Sequence, residues 1–211
     1  MSDRDTDNGD SRDNVYAPPE SEVTGVAPGG EPPFFGVSLR KLTVMYVVTM
    51  GLYGLFWFYF HWRRLKEQRG LNVWPAPRAI FSVFFTHALF RHIEREAQAR
   101  FGSAPWDPSK QAWIYVVLVI VSGVLNNLTP QDNWIVTISL ISMVLLSLSV
   151  MPLLKAQWIA NRLNGDPEGA SNAVYNGWNM VGLILFGLAW AGWLFGLYLF
   201  MTGQVPELGG P

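Results

Sequence analysis

The chain has 211 residues, of which 50% are hydrophobic and 14% aromatic, and its formal net charge at pH 7 is −1. Its mean hydropathy of +0.18 is high for a soluble domain and indicates a membrane protein. The absence of cysteine excludes disulfides, thiolate catalysis and Cys-type zinc sites.

The near-zero net charge conceals two oppositely charged parts. Residues 1–39 carry eight acidic and two basic side chains, whereas residues 40–211 carry thirteen basic and eight acidic ones. The first part is also rich in Asp, Ser, Gly and Pro, and it has too few large apolar residues to offset its ordering entropy. We therefore expect a disordered acidic tail over 1–39, without the pattern of a cleaved secretory signal.

The remaining chain is predicted to form an all-α, polytopic helical membrane domain over residues 40–202. We expect four to five membrane helices with cytoplasmic helix extensions, followed by a short C-terminal tail over 203–211. The predicted helices cover about 42–62, 77–101, 112–128, 134–164 and 178–202.

The first predicted helix, 42–62, has 21 uncharged residues, enough to cross a hydrocarbon core of about 30 Å at 1.5 Å per residue. Its Trp and Tyr residues and the arginines that follow match the order of hydrocarbon, headgroups and water. Gly51 and Gly54 form a small notch, which indicates a helix-packing face or a bend.

The second predicted helix, 77–101, contains an apolar segment of only 12 residues, 79–90, which is too short for an ordinary span. This segment continues without a helix breaker into the charged residues 91–100. We expect one helix that lies half in lipid and half in water.

The last three predicted helices, 112–128, 134–164 and 178–202, contain clear spans over 112–128, 134–154 and 178–201 by length and composition. Pro152 is expected to kink the middle one near the interface. In the last helix, three small residues share a face and permit close approach of a second helix, either within the chain or in a homo-oligomer: Ala189, Gly192 and Gly196.

The distribution of basic residues predicts the topology through the positive-inside rule. Six basic residues flank the last three helices at one side: Arg91, Arg95, Arg100, Lys110, Lys155 and Arg162. That side should be cytoplasmic, which leaves the 129–133 turn and the C-terminus outside.

The first helix has basic residues at both ends, so three arrangements remain open. Segment 79–90 could cross the bilayer, with the N-terminus inside. It could instead lie in the interface, with the acidic tail outside. In the third arrangement, 42–62 is a re-entrant hairpin bent at Gly51 and Gly54, and both basic flanks remain inside.

A concentration of amide and charged residues after the 134–164 helix is the most specific candidate site. Its members are Asn161, Arg162, Asn164, Asp166 and Asn176, with Asn172 and Asn179 close in sequence. Arginine can bind phosphate or carboxylate with two donors, and Asn both donates and accepts. This pattern suggests a pocket for a lipid headgroup or a partner's anionic segment, while helix capping and turn formation are the alternative interpretation.

Catalytic, metal, cofactor and nucleic-acid sites are not predicted. His87 and His92 point about 140° apart on a helix, and Glu94 and Glu96 lie on different faces. The basic cluster after residue 62 is small and carries no nucleic-acid-reading motif. The apolar spans 112–128, 134–154 and 178–201 contain no Asp, Glu, Lys, Arg or His, which argues against ion-coupled transport.

The segments "FFGVSLRKLTVMYVVTMGLYGLFWFYFHWRRLK", "PRAIFSVFF" and "NRLN" resemble a group of small bacterial inner-membrane proteins of uncharacterised function. Within them, Thr49 to Tyr59 fits a T-x-G-x-Y-x-x-x-W-F-Y membrane motif. The resemblance implies a bacterial origin and an inner-membrane location, and it transfers no catalytic residues.

Taken together, these patterns favour a non-enzymatic scaffold, or a component that binds anionic phospholipid or a membrane-protein partner. The alternative is a small permease or lipid transporter, and the third hypothesis is a membrane-embedded lipid-modifying enzyme. Transport predicts polar faces along a path between helices. An enzyme predicts that four side chains converge: His87, His92, Glu94 and Arg162.

Overall fold

The computed structural model describes residues 32–103, 106–127, 134–202 and Gln204. Most of the predicted acidic tail, the 129–133 turn and nearly all of the C-terminal tail lie outside the described residues.

The described residues form helices and connecting loops, with no β-strand among them. The helices are α1 (Leu39–Val48), α2 (Leu52–Arg69), α3 (Pro75–Ile80), α4 (Ser82–Phe101), α5 (Pro108–Asn127), α6 (Ile135–Leu148), α7 (Val150–Leu163) and α8 (Gly177–Met201), with a 3₁₀ turn at Ala170–Asn172. The predicted all-helical class is confirmed.

Three helices are long and apolar enough to cross a membrane: Pro108–Asn127, Val136–Leu163 and Gly177–Met201. They correspond to the last three predicted helices. The middle one joins α6 and α7 through a single turn residue, Ser149. This break lies three residues before Pro152. A proline ring clashes with the carbonyl four residues earlier in a regular helix, so the helix is disrupted just before the proline.

The first predicted helix, 42–62, is not continuous, and this prediction is corrected. The chain leaves helical geometry at Met50 and Gly51, whose φ angles are +50° and +83°. The Gly51 N–H donates to the Tyr46 carbonyl at 2.8 Å, a six-residue closure that ends α1. The α2 helix begins at Leu52, and the Thr49 hydroxyl accepts the Tyr53 N–H of its first turn at 2.9 Å.

After this break the chain turns back on itself. A Cβ on Gly54 would lie 2.9 Å from the Tyr46 ring, so the first turn of α2 is packed directly against α1. At the other end, the rings of Phe35, before α1, and Phe60, in α2, stack with centroids 5.0 Å apart. Residues 39–69 therefore form a helical hairpin, called the α1–α2 hairpin below.

The second predicted helix, 77–101, is also corrected, because it begins at Pro75 and is interrupted at Phe81. Its second part, α4, packs against the first half of α5. The His87 and Trp113 rings lie 5.0 Å apart, and the ring of Phe90 lies 5.2 Å from that of Trp106 in the loop before α5.

The ends of α5, α7 and α8 near Pro108, Leu163 and Gly177 are called the basic end below. The α1–α2 hairpin opens toward this end, since residues just before α1 hydrogen-bond to Asn161 and Asn164 of α7 and the loop that follows it. Its tip lies against the middle of α8, where the Trp190 indole donates to the Val48 carbonyl at 2.9 Å.

Candidate functional site

Four amide side chains of α7 and the loop after it bind the main chain of residues 34–37. They are Gln157, Asn161, Asn164 and Asn172. We call this set the amide clamp. It holds an extended segment that carries two fully buried side chains, Phe34 and Val37, so the packed part of the chain begins before the predicted boundary at residue 40.

Asn161 and Asn164 each engage one residue of this segment through both its N–H and its carbonyl. The Asn161 Nδ2 donates to the Val37 carbonyl at 3.0 Å, and its Oδ1 accepts the Val37 N–H at 3.4 Å. Asn164 makes the same pair of contacts with Phe34, at 2.9 and 3.1 Å. A side-chain amide thereby replaces the partner strand that an extended main chain normally needs.

Gln157 connects the clamp to the α1–α2 hairpin. Its Nε2 donates to the Phe35 carbonyl at 2.9 Å, and its Oε1 accepts the Trp57 indole N–H at 2.6 Å. The same Oε1 lies 3.1 Å from the Nε2 of His61, which must carry the proton because an amide oxygen only accepts. Burial lowers the pKa of His61 to about 4, so the ring is neutral.

The loop after α7 closes over the clamped segment. Gly169 has φ +66°, and a Cβ there would lie 2.5 Å from the Val37 main chain, so only glycine fits this approach. Lys41, at the start of α1, donates through Nζ to Asn172 Oδ1 and to the Val174 carbonyl, both at 2.7 Å. Burial lowers the pKa of the Lys41 ammonium.

Other members of the predicted site have local roles. The Asp166 carboxylate accepts the N–H groups of Ala170 and Ser171, each at 2.9 Å, and the bonds from Ser171 are the main reason that its pKa is lowered. Asn176 and Asn179 form a reciprocal capping box at the start of α8. The structure thus brings Asn161 and Asn164 together in the clamp and places Asn176 outside it.

Arg162 occupies a different position, on the exposed face of α7 beside an open cleft of about 520 Å³. We call this the basic cleft. Its lining residues are Ser38, Leu39, Arg40, Trp158, Arg162, Pro167 and Glu168.

The charged groups of the basic cleft have no charged partners within the described part of the chain. Neither Arg40, Arg162 nor Glu168 forms an ion pair there. The Arg162 guanidinium lies 4.6 Å from the centroid of the Trp158 ring, which orients it while leaving its N–H donors available. Two guanidinium groups and one carboxylate therefore face a space that can admit a small anionic group.

Sequence reasoning missed Gln157, Trp158 and Arg40 as members of these sites. The signal for Trp158 was available, because it shares the exposed helix face of Lys155 and Arg162 at spacings of three and four residues. Gln157 and Arg40 had no such signal, since only the turn at Gly51 brings residues 34–40 and α2 to the same part of α7.

The five predicted packing residues have different surroundings. Gly51 and Gly54 contact Tyr46 across the hairpin. A Cβ at Gly192 or Gly196 would meet no atom within 4 Å, and Ala189 is exposed. The close-approach role of the α8 residues remains a prediction.

The four side chains of the enzyme hypothesis have separate neighbours. His87 lies beside Trp113, His92 beside Trp62, and Arg162 beside Trp158. Glu94 accepts a hydrogen bond from Gln98 at 3.1 Å. Within the described residues no group of three or more His, Asp or Glu side chains could hold a metal ion.

Comparison of the chain with protein-family models, with curated proteins and with solved structures found no match. The resemblance to bacterial inner-membrane proteins therefore stays an expectation from sequence, and the site has to be interpreted from its own geometry.

Proposed function

We propose that this protein is a non-enzymatic, multi-pass component of the bacterial inner membrane that binds the headgroup of an anionic phospholipid in the basic cleft. The observation that carries the proposal is the position of Arg40, Arg162 and Trp158 at one end of an apolar span. An aromatic ring beside guanidinium groups at the end of a span is the arrangement expected where lipid headgroups lie.

The length of the middle apolar span supports placing Trp158 and Arg162 at the depth of the lipid headgroups. The 28-residue helix Val136–Leu163 is about 42 Å long, against about 30 Å for a hydrocarbon core. Between Gln111 and Leu154 the only formal charge is Asp132, so the excess length is best accommodated at the end that begins with Lys155. One turn further along, Trp158 and Arg162 then fall at headgroup level.

The proposed topology has the basic end in the cytoplasm, with the three apolar helices as spans and the C-terminus outside. The α1–α2 hairpin enters and leaves on the cytoplasmic side, which is the re-entrant arrangement that the charges of its flanks allow. Its first arm, α1, has ten residues and is about 15 Å long, half of a hydrocarbon core. Segment 79–90 is placed at the interface in this topology, since its His87 ring packs against Trp113 near the start of α5, at the basic end.

Binding would rest on charge and on donor geometry. An arginine can present two parallel N–H donors to a phosphodiester, and each basic group near an anionic surface contributes about 1 kcal/mol. Glu168 opposes this charge, so the cleft should hold a single phosphate group rather than a highly charged headgroup.

Native mass spectrometry of the protein extracted gently from its own membrane tests the proposal. The wild type should retain phospholipid that Arg162→Ala loses. Arg91→Ala, which removes an exposed charge on α4, is the matched control and should retain it. Equal lipid retention by all three proteins would contradict the proposed site.

A further inference from the structure

We propose that Arg78 is the centre of a second lipid site, in which its guanidinium binds the phosphate of an anionic phospholipid at the surface formed by α2, α3 and α4. This site is separate from the basic cleft, because the rings that contact Arg78 do not line that cleft. It shares with the proposed function only the assumption that the basic end lies at a lipid surface.

The Arg78 guanidinium is held in place by two aromatic rings. It lies 4.4 Å from the centroid of the Trp62 ring, on α2, and 5.0 Å from that of the Phe85 ring, on α4. A guanidinium that lies over aromatic rings keeps the N–H donors at its edge available for an anion. Because Arg78 is half-buried and already oriented, a ligand would lose little affinity to the ordering of this side chain.

The described part of the chain supplies no anion for Arg78. Residues 52–101 contain eight basic and three acidic residues. Each of the three acidic side chains already has a polar partner: Glu67 has Arg63, Glu94 has Gln98 and Glu96 has Arg69. Arg78 forms no ion pair with any described residue. A half-buried guanidinium without a counter-charge favours an anion from outside the protein.

His92 shows that positive charge dominates around Arg78. Its ring lies 6.0 Å from the Trp62 ring. Burial is the main reason that the pKa of His92 is lowered, and the charges of Arg95 and Arg78 lower it further, each by more than Glu96 raises it. The same positive charge would attract a lipid phosphate.

Large apolar side chains lie exposed on the chain at either side of Arg78. Each of them is at least 55% exposed: Trp74, Ile80, Phe81 and Phe84. Exposed apolar side chains next to a basic group are typical of an element that lies in a membrane interface, where the apolar groups enter the acyl region. A phospholipid offers both acyl chains and a phosphate, whereas a soluble anion offers charge alone. The combination therefore favours a phospholipid.

The Arg78 site also lies at the end of the protein where headgroups are expected. The α2 helix returns to the basic end and finishes there at Arg69. The α4 helix packs through His87 on Trp113, near the start of α5 at the same end. Arg78 contacts both α2 and α4, so a phosphate bound to it would lie on the same side of the bilayer as the basic cleft.

Native mass spectrometry of the delipidated full-length protein in detergent, titrated with phosphatidylglycerol, tests the proposal. The spectra count the bound lipid copies and give a dissociation constant for each. Five variants are compared with the wild type: Arg78→Gln, Arg78→Lys, Arg162→Ala, the double variant Arg78→Gln with Arg162→Ala, and Lys110→Ala. Lys110 is the control, because its removal deletes an exposed charge at the basic end.

The wild type should bind two tight copies of phosphatidylglycerol. Arg78→Gln should weaken one of them about fivefold, because a basic group near an anionic headgroup contributes about 1 kcal/mol. Arg162→Ala should weaken the other copy, and the double variant both. Arg78→Lys retains the charge, so it should bind within about twofold of the wild type. Inorganic phosphate in large excess should not displace the copy that depends on Arg78, because it has no acyl chains for the exposed apolar side chains.

The outcomes separate the two sites. Wild-type affinity of Arg78→Gln, with a loss on Arg162→Ala, overturns the second site and leaves the basic cleft standing. A loss with Arg78→Gln and none with Arg162→Ala supports the second site and overturns lipid binding in the cleft.

Three further results would each overturn the Arg78 site. Equal losses with Arg78→Gln and Lys110→Ala would show general charge attraction. Binding by Arg78→Lys as weak as that by Arg78→Gln would show that charge does not hold the lipid. Displacement by inorganic phosphate would show that the site takes a soluble anion.

Discussion

Two apolar stretches of similar length take different structures in this protein. Residues 42–62 break at Gly51 and fold back, whereas Gly177–Met201 is one continuous helix. The first stretch buries nine of its side chains against other parts of the chain, among them Trp57, His61 and Trp62. In α8 no residue is buried.

The difference shows that the length of an apolar stretch alone does not predict one continuous helix. The stretch 42–62 contains polar groups with fixed partners inside the protein, such as Trp57 and His61 on Gln157. Those partners lie at the basic end, so the stretch returns to that end. In the middle of α8, the Trp190 indole donates to the Val48 carbonyl at the hairpin tip.

The largest expected effect comes from removing the Asn161 side chain, which binds both main-chain groups of Val37 just before the α1–α2 hairpin. Asn161→Ala leaves the Val37 N–H and carbonyl without partners in a buried site, and each such group costs about 1–3 kcal/mol. We expect the free energy of unfolding in detergent to fall by about 3 kcal/mol.

The matched control is Asn176→Ala at the exposed cap of α8, which should cost about 1 kcal/mol. Denaturant titrations of both variants followed by circular dichroism measure the two losses. Equal losses would mean that the clamp adds no more stability than an ordinary helix cap.

The second effect compares glycines in the two stretches. Gly54→Val places a side chain 2.9 Å from the Tyr46 ring, and overpacking of this kind costs about 1–3 kcal/mol. Gly192→Val meets open space on α8 and should change stability by no more than about 0.5 kcal/mol. Thermal unfolding of the two variants in the same detergent checks the contrast, which fails if Gly192→Val is the more damaging change.

Much of the fold follows from sequence, which also offered a bend at Gly51 as one of three arrangements but did not select it over a continuous helix. The length and apolarity of the last three helices predicted them within a few residues. The break depends on Tyr46, Thr49 and Gly54 fitting one another, and on Gln157, about 100 residues away, accepting from Trp57. No local pattern in 42–62 encodes those distant partners.

The candidate site shows the same division. Asn161, Asn164 and Arg162 stand out in sequence because amides and arginine are concentrated there. Sequence alone did not separate their roles. Successive residues of an α-helix point about 100° apart, so Asn161 faces inward into the clamp while Arg162 faces outward.

The third effect is a pH dependence that belongs to the hairpin. His61 has a pKa of about 4 in the folded protein against about 6.5 unfolded, so the unfolded state binds more protons as the pH falls. Its contribution is fully present above pH 6.5 and is lost at about 1.4 kcal/mol per pH unit between 6.5 and 4.

Between pH 7 and pH 5.5, the free energy of unfolding should therefore fall by about 1 kcal/mol more in the wild type than in His61→Gln. Unfolding curves at the two pH values measure this difference. Burial also lowers the pKa values of His87 and His92, which add the same slope to both proteins and cancel in the comparison. Identical pH profiles would show that His61 is accessible to protons in the folded state.

The smallest effect concerns a polar contact between two helices long enough to span. The hydroxyls of Ser122 and Ser142 each donate to the other residue's carbonyl, at 2.8 and 2.9 Å. Interhelical hydrogen bonds of this kind average about 0.6 kcal/mol, because the separated helices find other partners. A double-mutant cycle with Ser122→Ala and Ser142→Ala should therefore give a coupling energy near that value.

A coupling energy as large as the Asn161→Ala loss would mean that polar pairs hold α5 against α6 as firmly as the clamp holds the hairpin. Buried amides would then not be what distinguishes a stretch that turns back from one that continues.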